Sequence, residues 1–207
     1  MTRVSTELQA TFGDIDIYLF DQLLRGRFDH RPRVLDAGCG GGRNLRYFLR
    51  HGFDVCAVDG DASAIASVRQ LVASLNPSLP LGQIHCGAIE SLPWDDHVVD
   101  AVICSAVLHF ARDQQHFAAM VAELWRVLAP GGLFFARLAS SIGIEDRLPA
   151  RTGRMRLPDG SDRFVVDERT ILDWTATLGG VLSDPLKTTN VQQMRCMTTW
   201  VMEKPQA

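Results

Sequence analysis

Arg33-Val-Leu-Asp-Ala-Gly-Cys-Gly-Gly-Gly-Arg-Asn44 is the stretch of sequence that decides the fold. Its apolar start predicts a buried β-strand, and glycines at alternating positions, Gly38, Gly40 and Gly42, predict a sharp turn into a helix. Glycines at such a turn allow a ligand to lie against the main chain, and the first N–H groups of the helix are free to bind polar groups. The segment therefore predicts a ligand site at the end of a strand.

The spacing of these glycines separates two common kinds of ligand site. The G-x-G-x-x-G pattern of dinucleotide-binding proteins needs a further glycine where Arg43 or Leu45 stands. The G-x-x-x-x-G-K-[ST] loop of nucleoside triphosphatases is absent from the sequence as well. Both classes are therefore disfavoured.

The residues that follow continue the pattern of a mixed α/β protein. Between Arg33 and Ala139, short apolar runs alternate with helical patterns, which predicts βαβ units around a mostly parallel sheet. The predicted strands are Arg33–Ala37, Phe53–Asp59, Gly82–Cys86, Asp100–Ser105 and Leu133–Leu138. The predicted helices are Gly42–Arg50, Ala62–Leu75 and Gln115–Leu128.

Segments before and after this core predict further elements. Apolar residues between Ile15 and Leu24 predict a helix capped by Asp14, which either covers a ligand or only packs against the core. Residues 140–163 contain several prolines and glycines and predict a long functional loop. The rest of the chain predicts a helix and a β-hairpin, at Asp167–Leu178 and at Val181–Thr188 with Met197–Glu203.

The length of 207 residues predicts one domain spanning 1–207. We divide it into an N-terminal helical cap, a ligand-binding core, a substrate loop and a C-terminal helix with a hairpin, at residues 1–32, 33–139, 140–163 and 164–207. The hydrophobic share of 46% and charged share of 22% are typical of a globular chain and exclude a disordered protein.

Net charge and cysteine content exclude further classes. A formal charge of −3 provides no overall basic field, so neither a nucleic acid nor a membrane surface is an expected partner. The five cysteines are odd in number and form no CxxC pair, which disfavours a disulfide framework and a zinc site. The first ten residues lack the apolar core of a signal peptide, and no stretch resembles a membrane span, so we expect a cytoplasmic protein.

Asp59 is the second feature that points to a ligand. It ends the second predicted strand, where a carboxylate can accept hydrogen bonds from both hydroxyls of a ribose. The alternative is that Asp59 or Asp61 only caps the following helix. The glycine turn upstream favours the ribose interpretation.

At this point the sequence resembles the class I S-adenosylmethionine-dependent methyltransferases, from Arg33 to Lys204. The resemblance is carried by an ordered set of motifs: Val34-Leu-Asp-Ala-Gly-Cys-Gly40, Asp59, Gly87-Ala-Ile-Glu-Ser-Leu-Pro-Trp94, Asp100-Ala-Val-Ile-Cys-Ser-Ala-Val-Leu-His-Phe110 and Leu128-Ala-Pro-Gly-Gly132. Within the class, Cys-Gly-Gly-Gly-Arg-Asn44 and Thr-Thr-Trp-Val-Met-Glu-Lys204 are similar to the tellurite-resistance branch.

The resemblance implies a fold and a cofactor. The fold is a Rossmann-like doubly wound α/β sheet of seven mostly parallel strands with the last strand antiparallel. The cofactor is S-adenosyl-L-methionine, with S-adenosyl-L-homocysteine as product. Its methionine part would lie over Gly38–Gly42 with its ammonium near Asp36 and its carboxylate near Arg43, its ribose on Asp59, and its adenine beside Ala88 and Ile89. The implied cofactor-binding residues are Asp36, Gly38, Cys39, Gly40, Gly42, Arg43, Asp59, Gly60, Ala88, Ile89, Ser105 and Ala106.

The methyl acceptor is expected to be a small molecule. His109, just past the fourth strand, is the candidate for a general base, with a structural histidine as the alternative, and Tyr18 and Arg137 are candidate substrate contacts. Residues 137–163 hold six arginines against four acidic residues. A solvated loop is the default interpretation, and the alternative is that two of these arginines hold an anionic acceptor. No metal site is predicted.

Alternatives to this function stay open. The stretch Leu186-Lys-Thr-Thr-Asn-Val-Gln-Gln-Met-Arg195 lacks the histidine of a His-Arg pair in the tellurite branch, which puts metalloid chemistry in doubt. A module that binds S-adenosylmethionine or S-adenosylhomocysteine without turnover would carry the same motifs. An NAD-dependent oxidoreductase is disfavoured by Arg43 and by the lack of a Tyr-x-x-x-Lys pair. The sequence leaves open whether the protein is a monomer or a homodimer.

Overall fold

A computed structural model describes residues 3–206 of the chain. Six α-helices lie in this range: α1 (Arg3–Phe12), α2 (Ile17–Leu24), α3 (Arg46–Arg50), α4 (Ala62–Leu75), α5 (Gln114–Val127) and α6 (Glu168–Thr177). The strands are β1 (Arg33–Ala37), β2 (Asp54–Asp59), β3 (Ile84–Cys86), β4 (Val99–Ser105), β5 (Leu128–Ser140), β6 (Gly153–Arg156), β7 (Asp162–Val165), β8 (Val181–Leu182), β9 (Lys187–Val191) and β10 (Arg195–Glu203).

One large sheet organises the molecule. Its strand order is β3-β2-β1-β4-β5-β10-β8, with β9 also paired to β10. The five neighbouring strands β3, β2, β1, β4 and β5 are parallel, and β10 runs antiparallel to β5. The predicted doubly wound α/β fold with an antiparallel last strand is therefore confirmed. Because β1 to β5 are parallel, their carboxyl ends meet at one edge of the sheet.

The sheet has eight strands rather than seven because the strand beside β10 is interrupted. The predicted strand Val181–Thr188 is wrong in this respect: β8 pairs with Met202 and Glu203, whereas β9 pairs with the first half of β10. Between them, Pro185 has no N–H to donate, and the buried Asp184 carboxylate accepts hydrogen bonds from helix and loop side chains rather than continuing the ladder.

Helices cover both faces of the sheet because strand residues alternate between the faces. On one face, Leu35, Val102 and Phe134 pack with residues of α5 and α6. On the other face, Val34 and Ile103 pack with residues of α2, α3 and α4. Each large apolar side chain buried in this way contributes roughly 1.5–3 kcal/mol. No helix in the described part of the chain is both long and apolar enough to cross a membrane.

Two predicted helix starts are wrong. The helix predicted between Ile15 and Leu24 is α2, which begins at Ile17 and is capped by Asp16: the Asp16 carboxylate accepts a hydrogen bond from Tyr18 N at 2.9 Å, so Asp14 is not the cap. The helix predicted from Gly42 begins only at Arg46, because Gly42 has a φ of +81°, which lies outside the helical region. The turn at Gly42 is thus followed by a short helix.

Residues 140–163 also differ from the prediction of a loop, since β6 and β7 form an antiparallel hairpin. Its turn is closed by a hydrogen bond from Leu157 N to Ser161 O at 2.8 Å. Met155, Leu157 and Val165 are buried against Ala139 of β5 in a small apolar cluster. These alternating apolar residues hold the hairpin on the carboxyl edge of the sheet.

Candidate functional site

A cavity of about 830 Å³ lies at the carboxyl ends of β1, β2, β4 and β5. Twelve residues predicted for the site line it: Gly38, Cys39, Gly40, Arg43, Asp59, Gly60, Ala88, Ile89, Ser105, Ala106, His109 and Arg137. We call one part of the lining the glycine end; it consists of Gly38–Gly41, Arg43, Asp59, Gly60 and Gly87–Glu90. His109, Arg137, Ser161, Arg163, Arg195 and Met197 form the arginine end.

The glycine turn forms the floor of the glycine end. Gly38 and Cys39 both donate N–H hydrogen bonds to Val58 O, at 2.8 and 3.1 Å, which fixes the turn against β2. A Cβ on Gly38 would lie 2.4 Å from Val107 Cγ2, and its φ of +75° also requires glycine. By contrast, a Cβ on Gly40 would meet nothing within 4 Å, since this residue faces open space. The turn therefore leaves main chain accessible at Gly40.

Gly42 does not line the cavity. A Cβ at this position would lie 3.0 Å from Leu71 Cδ2 and 3.2 Å from Val68 Cγ2, both on α4. Gly42 therefore allows the turn to pack closely on α4. The resemblance had implied a role in cofactor binding, but the structure gives this glycine a packing role.

Asp59 connects the glycine turn to the end of β2. Its Oδ2 accepts a hydrogen bond from Gly40 N at 2.8 Å, and its Oδ1 accepts one from Asp61 N at 2.9 Å. The N-cap of α4 is Asp61, whose carboxylate accepts from Ser63 N. Asp59 is thus free of the capping role. It keeps lone pairs that can accept hydrogen bonds from a ligand in the cavity.

Asp36 lies beneath the glycine turn and is only 1% exposed. Neither of its carboxylate oxygens has a hydrogen-bond partner among the described residues. Burial raises the pKa of Asp36 to about 7, and the Asp59 carboxylate raises it further, while the charge of Arg43 and the Asn44 side chain, which lies nearby without a hydrogen bond of good geometry, lower it. Because buried carboxylates are normally hydrogen-bonded, this one is suited to a polar or cationic group of a ligand.

Asp16 joins both ends of the cavity, and the sequence analysis did not identify it. Its Oδ2 accepts hydrogen bonds from Ser105 Oγ at 2.9 Å and Arg137 Nη1 at 3.3 Å, and it lies 3.6 Å from Arg43 Nη2. Arg43 also donates to Ser105 Oγ at 3.1 Å. One carboxylate that is 4% exposed therefore orients two guanidinium groups at the cavity wall.

Tyr18 does not line the cavity but contacts Arg137, which does. Its hydroxyl is hydrogen-bonded to Thr189 Oγ1, and the Arg137 guanidinium lies 5.0 Å from the centre of its ring. A stacked ring and a carboxylate together restrict the position of Arg137. Tyr18 therefore acts on the cavity through Arg137.

His109 is 5% exposed, and its Nδ1 has no hydrogen-bond partner within the part of the chain that is described. Burial lowers its pKa from 6.5 to about 4, and the positive charges of Arg163 and Arg137 lower it further. The ring is therefore neutral at pH 7 and packs 4.6 Å from the ring of Phe110. A neutral imidazole with a free nitrogen can accept a proton or a hydrogen bond.

Further residues were missed by the sequence analysis. Glu90 and His116 both line the cavity, and their side chains lie 3.0 Å apart. No sequence spacing connects them, because they come from different elements.

Cys86, at the end of β3, is exposed, and its Sγ lies 3.8 Å from Gly60 O. Across residues 3–206, no group of three or more His, Cys, Asp or Glu side chains is arranged to hold a metal ion.

Comparisons of the sequence with known proteins agree with these observations. A family model described as a methyltransferase domain matches residues 35–136. An uncharacterized methyltransferase of Mycobacterium tuberculosis is 30% identical over 155 residues, which cover 69% of this chain and 58% of the relative. The tRNA 5-carboxymethoxyuridine methyltransferase of Escherichia coli is 28% identical over 124 residues, which cover 60% of this chain and 46% of that relative. The chain therefore spans about half the length of these curated relatives.

A solved structure has the same fold. It is Burkholderia thailandensis 1,6-didemethyltoxoflavin-N1-methyltransferase with bound 1,6-didemethyltoxoflavin and S-adenosylhomocysteine, at a TM-score of 0.68 and 18% identity, covering 98% of this chain and 87% of that chain. The placement near the tellurite-resistance branch stays a prediction. From its strand order, its glycine turn and the matching domain model, the chain belongs to the class I S-adenosylmethionine-dependent methyltransferases.

Proposed function

We propose that this protein binds S-adenosylmethionine at the glycine end of the cavity and transfers its methyl group to a small molecule at the arginine end. The observation that carries the proposal is the pair of carboxylates on either side of the glycine turn. Asp59 is fixed by Gly40 N at 2.8 Å, and Asp36 is buried without a partner among the described residues. Ribose hydroxyls and an ammonium group are the partners that suit them.

The glycine end fits this cofactor in each of its parts. Asp59 would hold the ribose hydroxyls, and Ala88 with Ile89 the adenine, since all three line the cavity. Asp36 does not line the cavity but is buried beneath the glycine turn, from where its carboxylate would act on the ammonium group. Arg43, which Asp16 and Ser105 orient, would hold the carboxylate. When bound, S-adenosylmethionine supplies a methyl group on a positively charged sulfur that an electron-rich atom can take. The chain needs to orient the acceptor and exclude water, which accelerates such transfers substantially.

The size of the cavity favours a small acceptor. A cavity of about 830 Å³ has to hold both the cofactor and the acceptor. Leu157 and Ser161 of the β6–β7 hairpin and Met197 of β10 line the cavity beside the arginines. The structurally similar toxoflavin enzyme is named for a small-molecule acceptor, whereas the Escherichia coli relative is named for a tRNA. The net charge of −3 agrees better with the small molecule.

His109 would take the proton that a hydroxyl or amine acceptor loses. The lowered pKa keeps its ring neutral across the physiological range, and its Nδ1 has no partner in the described residues. An acceptor that is already ionised would need only orientation. The role of His109 thus depends on the accepting atom, which makes the residue a useful probe.

The proposal is tested in two stages. Titration calorimetry should detect binding of S-adenosylmethionine and S-adenosylhomocysteine and none of NAD. Transfer of a labelled methyl group to a component of a cell extract should then identify the acceptor. Binding without transfer to any component would make the protein a binding module, and binding of NAD alone would contradict the proposed cofactor.

A further inference from the structure

The arginine end carries more positive than negative charge. Arg137, Arg163 and Arg195 line it, whereas the acidic residues that line the cavity, Asp59 and Glu90, belong to the glycine end. Arg137 is partly balanced by Asp16 at 3.3 Å, and Arg195 by Asp159 at 3.4 Å. The excess positive charge at this end therefore comes mainly from Arg163.

Arg163 has no acidic partner within residues 3–206. Its Nη1 donates to Asp162 O at 2.8 Å, and its guanidinium lies 4.9 Å from the centre of the Phe110 ring. The hairpin does not use Arg163 for an ion pair, because Asp162 pairs instead with Arg154 at 3.2 Å. The guanidinium of Arg163 is half-buried, held against a ring and part of the cavity lining, so it can bind an anion there.

Two buried nitrogens at the same end also lack partners in the described residues. They are Nε of Arg137 and Nδ1 of His109. Arg137, Arg163 and His109 all line this end of the cavity, so both guanidinium groups face the same space. Unpaired buried polar atoms are costly unless a ligand pairs with them.

Resting on the proposed function, we propose that the acceptor is a small organic anion whose carboxylate or phosphate group is held by Arg163 and Arg137. A planar guanidinium can donate two parallel hydrogen bonds to such a group. The positive sulfur of the cofactor would add to the attraction for an anion in the same cavity. Neutral acceptors would leave Arg163 uncompensated in a partly buried site.

The test uses simple probes on the whole chain saturated with S-adenosylhomocysteine. Benzoate and phenyl phosphate represent the two anionic groups, and benzamide is a neutral molecule with the shape of benzoate. We expect at least one anion to bind about tenfold or more tightly than benzamide. Comparing benzoate with phenyl phosphate distinguishes a carboxylate site from a phosphate site.

Variants assign the effect to one side chain. R163Q should remove the preference for the anion, and R163K should restore part of it, because lysine keeps the charge without the planar geometry. R156Q is the matched control: Arg156 lies in the same hairpin, is exposed, and does not line the cavity. The control should keep the full preference. Circular dichroism establishes that each variant is folded.

Three outcomes would overturn the inference: equal binding of benzoate and benzamide, no binding of either anion, or an unchanged preference in R163Q. The proposed function fails separately, since its failure is a lack of S-adenosylhomocysteine binding or of methyl transfer. In the transfer assay, a filtered extract is divided by anion exchange. Label in the retained fraction supports the inference, and label only in the unretained fraction overturns it while leaving the proposed function intact.

Discussion

The two ends of the cavity are built in different ways. The glycine end consists of main chain and carboxylates at the ends of neighbouring strands, and Asp59 is held by N–H groups of the turn and of its own loop. The arginine end consists of side chains from distant segments, where Asp16 reaches Arg137 across 121 positions of sequence. Parallel strands fix the first by topology, whereas the second depends on individual contacts.

This difference predicts where substitutions act. Changes at the glycine end should alter cofactor affinity, and changes at the arginine end should alter turnover or acceptor binding. A variant that affects both would show that the ends are coupled, and Asp16 is the residue that contacts arginines at each end.

The largest effect is expected for H109Q. If His109 takes a proton from the acceptor, kcat should fall by about 10²–10⁴, while binding of S-adenosylhomocysteine stays unchanged. The acidic limb of the kcat/KM profile, expected near the lowered pKa of about 4, should also disappear. Steady-state kinetics as a function of pH measure both.

The matched control is H51Q, since His51 is exposed and far from the cavity lining. Its kinetics should equal those of the unsubstituted protein. Unchanged kcat in H109Q would mean that the acceptor arrives already ionised, as a carboxylate does.

D59A should weaken cofactor binding by about 10²-fold, because hydrogen bonds to a ribose are lost together with the one that holds Gly40. Calorimetry with S-adenosylhomocysteine measures the change. D61A provides the comparison: it removes the cap of α4, which lowers stability slightly, and should leave affinity nearly unchanged. Equal losses of affinity in the two variants would argue that Asp59 has only a structural role.

D16N should lower the free energy of unfolding by about 2 kcal/mol, because its amide oxygen can still cap α2 but the two arginines lose their counter-ion. Urea denaturation measures the loss. D14N is the control, because Asp14 is exposed and accepts one hydrogen bond, from Gln9. If D14N were the more destabilising change, the assignment of Asp16 as the counter-ion of Arg43 and Arg137 would be wrong.

The smallest effect is a pH dependence that D36N should abolish. Below its raised pKa of about 7, Asp36 is protonated and has to release a proton to pair with an ammonium group. Cofactor affinity should therefore rise about tenfold between about pH 6 and about pH 8. Calorimetry in buffers of different ionisation enthalpy detects the released proton, and a flat affinity profile in the unsubstituted chain would exclude this pairing.

The same group affects stability in the opposite direction. Without cofactor, the folded protein holds more protons than the unfolded one between the ordinary pKa of 3.8 and about 7. The free energy of unfolding should therefore fall as the pH rises through this range, and D36N should remove that decrease.

The glycine end could be predicted from the sequence because its signals are local. The first strand ends directly before Gly38, and Asp59 stands at the end of the next predicted strand, 19 positions after Gly40, where parallel topology brings it to the same edge of the sheet. Gly42 shows the limit, since its packing on α4 depends on Leu71, whose position the sequence alone does not give. Asp36, Gly38 and Asp59 are recognisable by motif, but the missing partner of Asp36 only emerges from the packing.

The arginine end was less predictable because its residues meet through tertiary contacts. Two aspartates, Asp14 and Asp16, precede the apolar pattern of α2, and the sequence does not decide which caps it. The arginines of residues 137–163 are also similar by composition, although Arg137 and Arg163 reach the cavity and Arg156 does not. Side chains alternate between the two faces of the β6–β7 hairpin, and this places Arg163 in the cavity and Arg156 outside it. The hairpin was not predicted because the prolines and glycines of the segment are typical of a loop.

The exposed thiol of Cys86 has a practical consequence. The other four cysteines are buried, so a thiol reagent should label this position selectively in the folded protein. Its sulfur lies beside Gly60, and Gly60 and Gly87 line the glycine end. A dye attached at Cys86 would thus stand at the edge of the site where a nucleoside is proposed to bind, and its emission would follow occupancy in real time without radioactivity or knowledge of the acceptor.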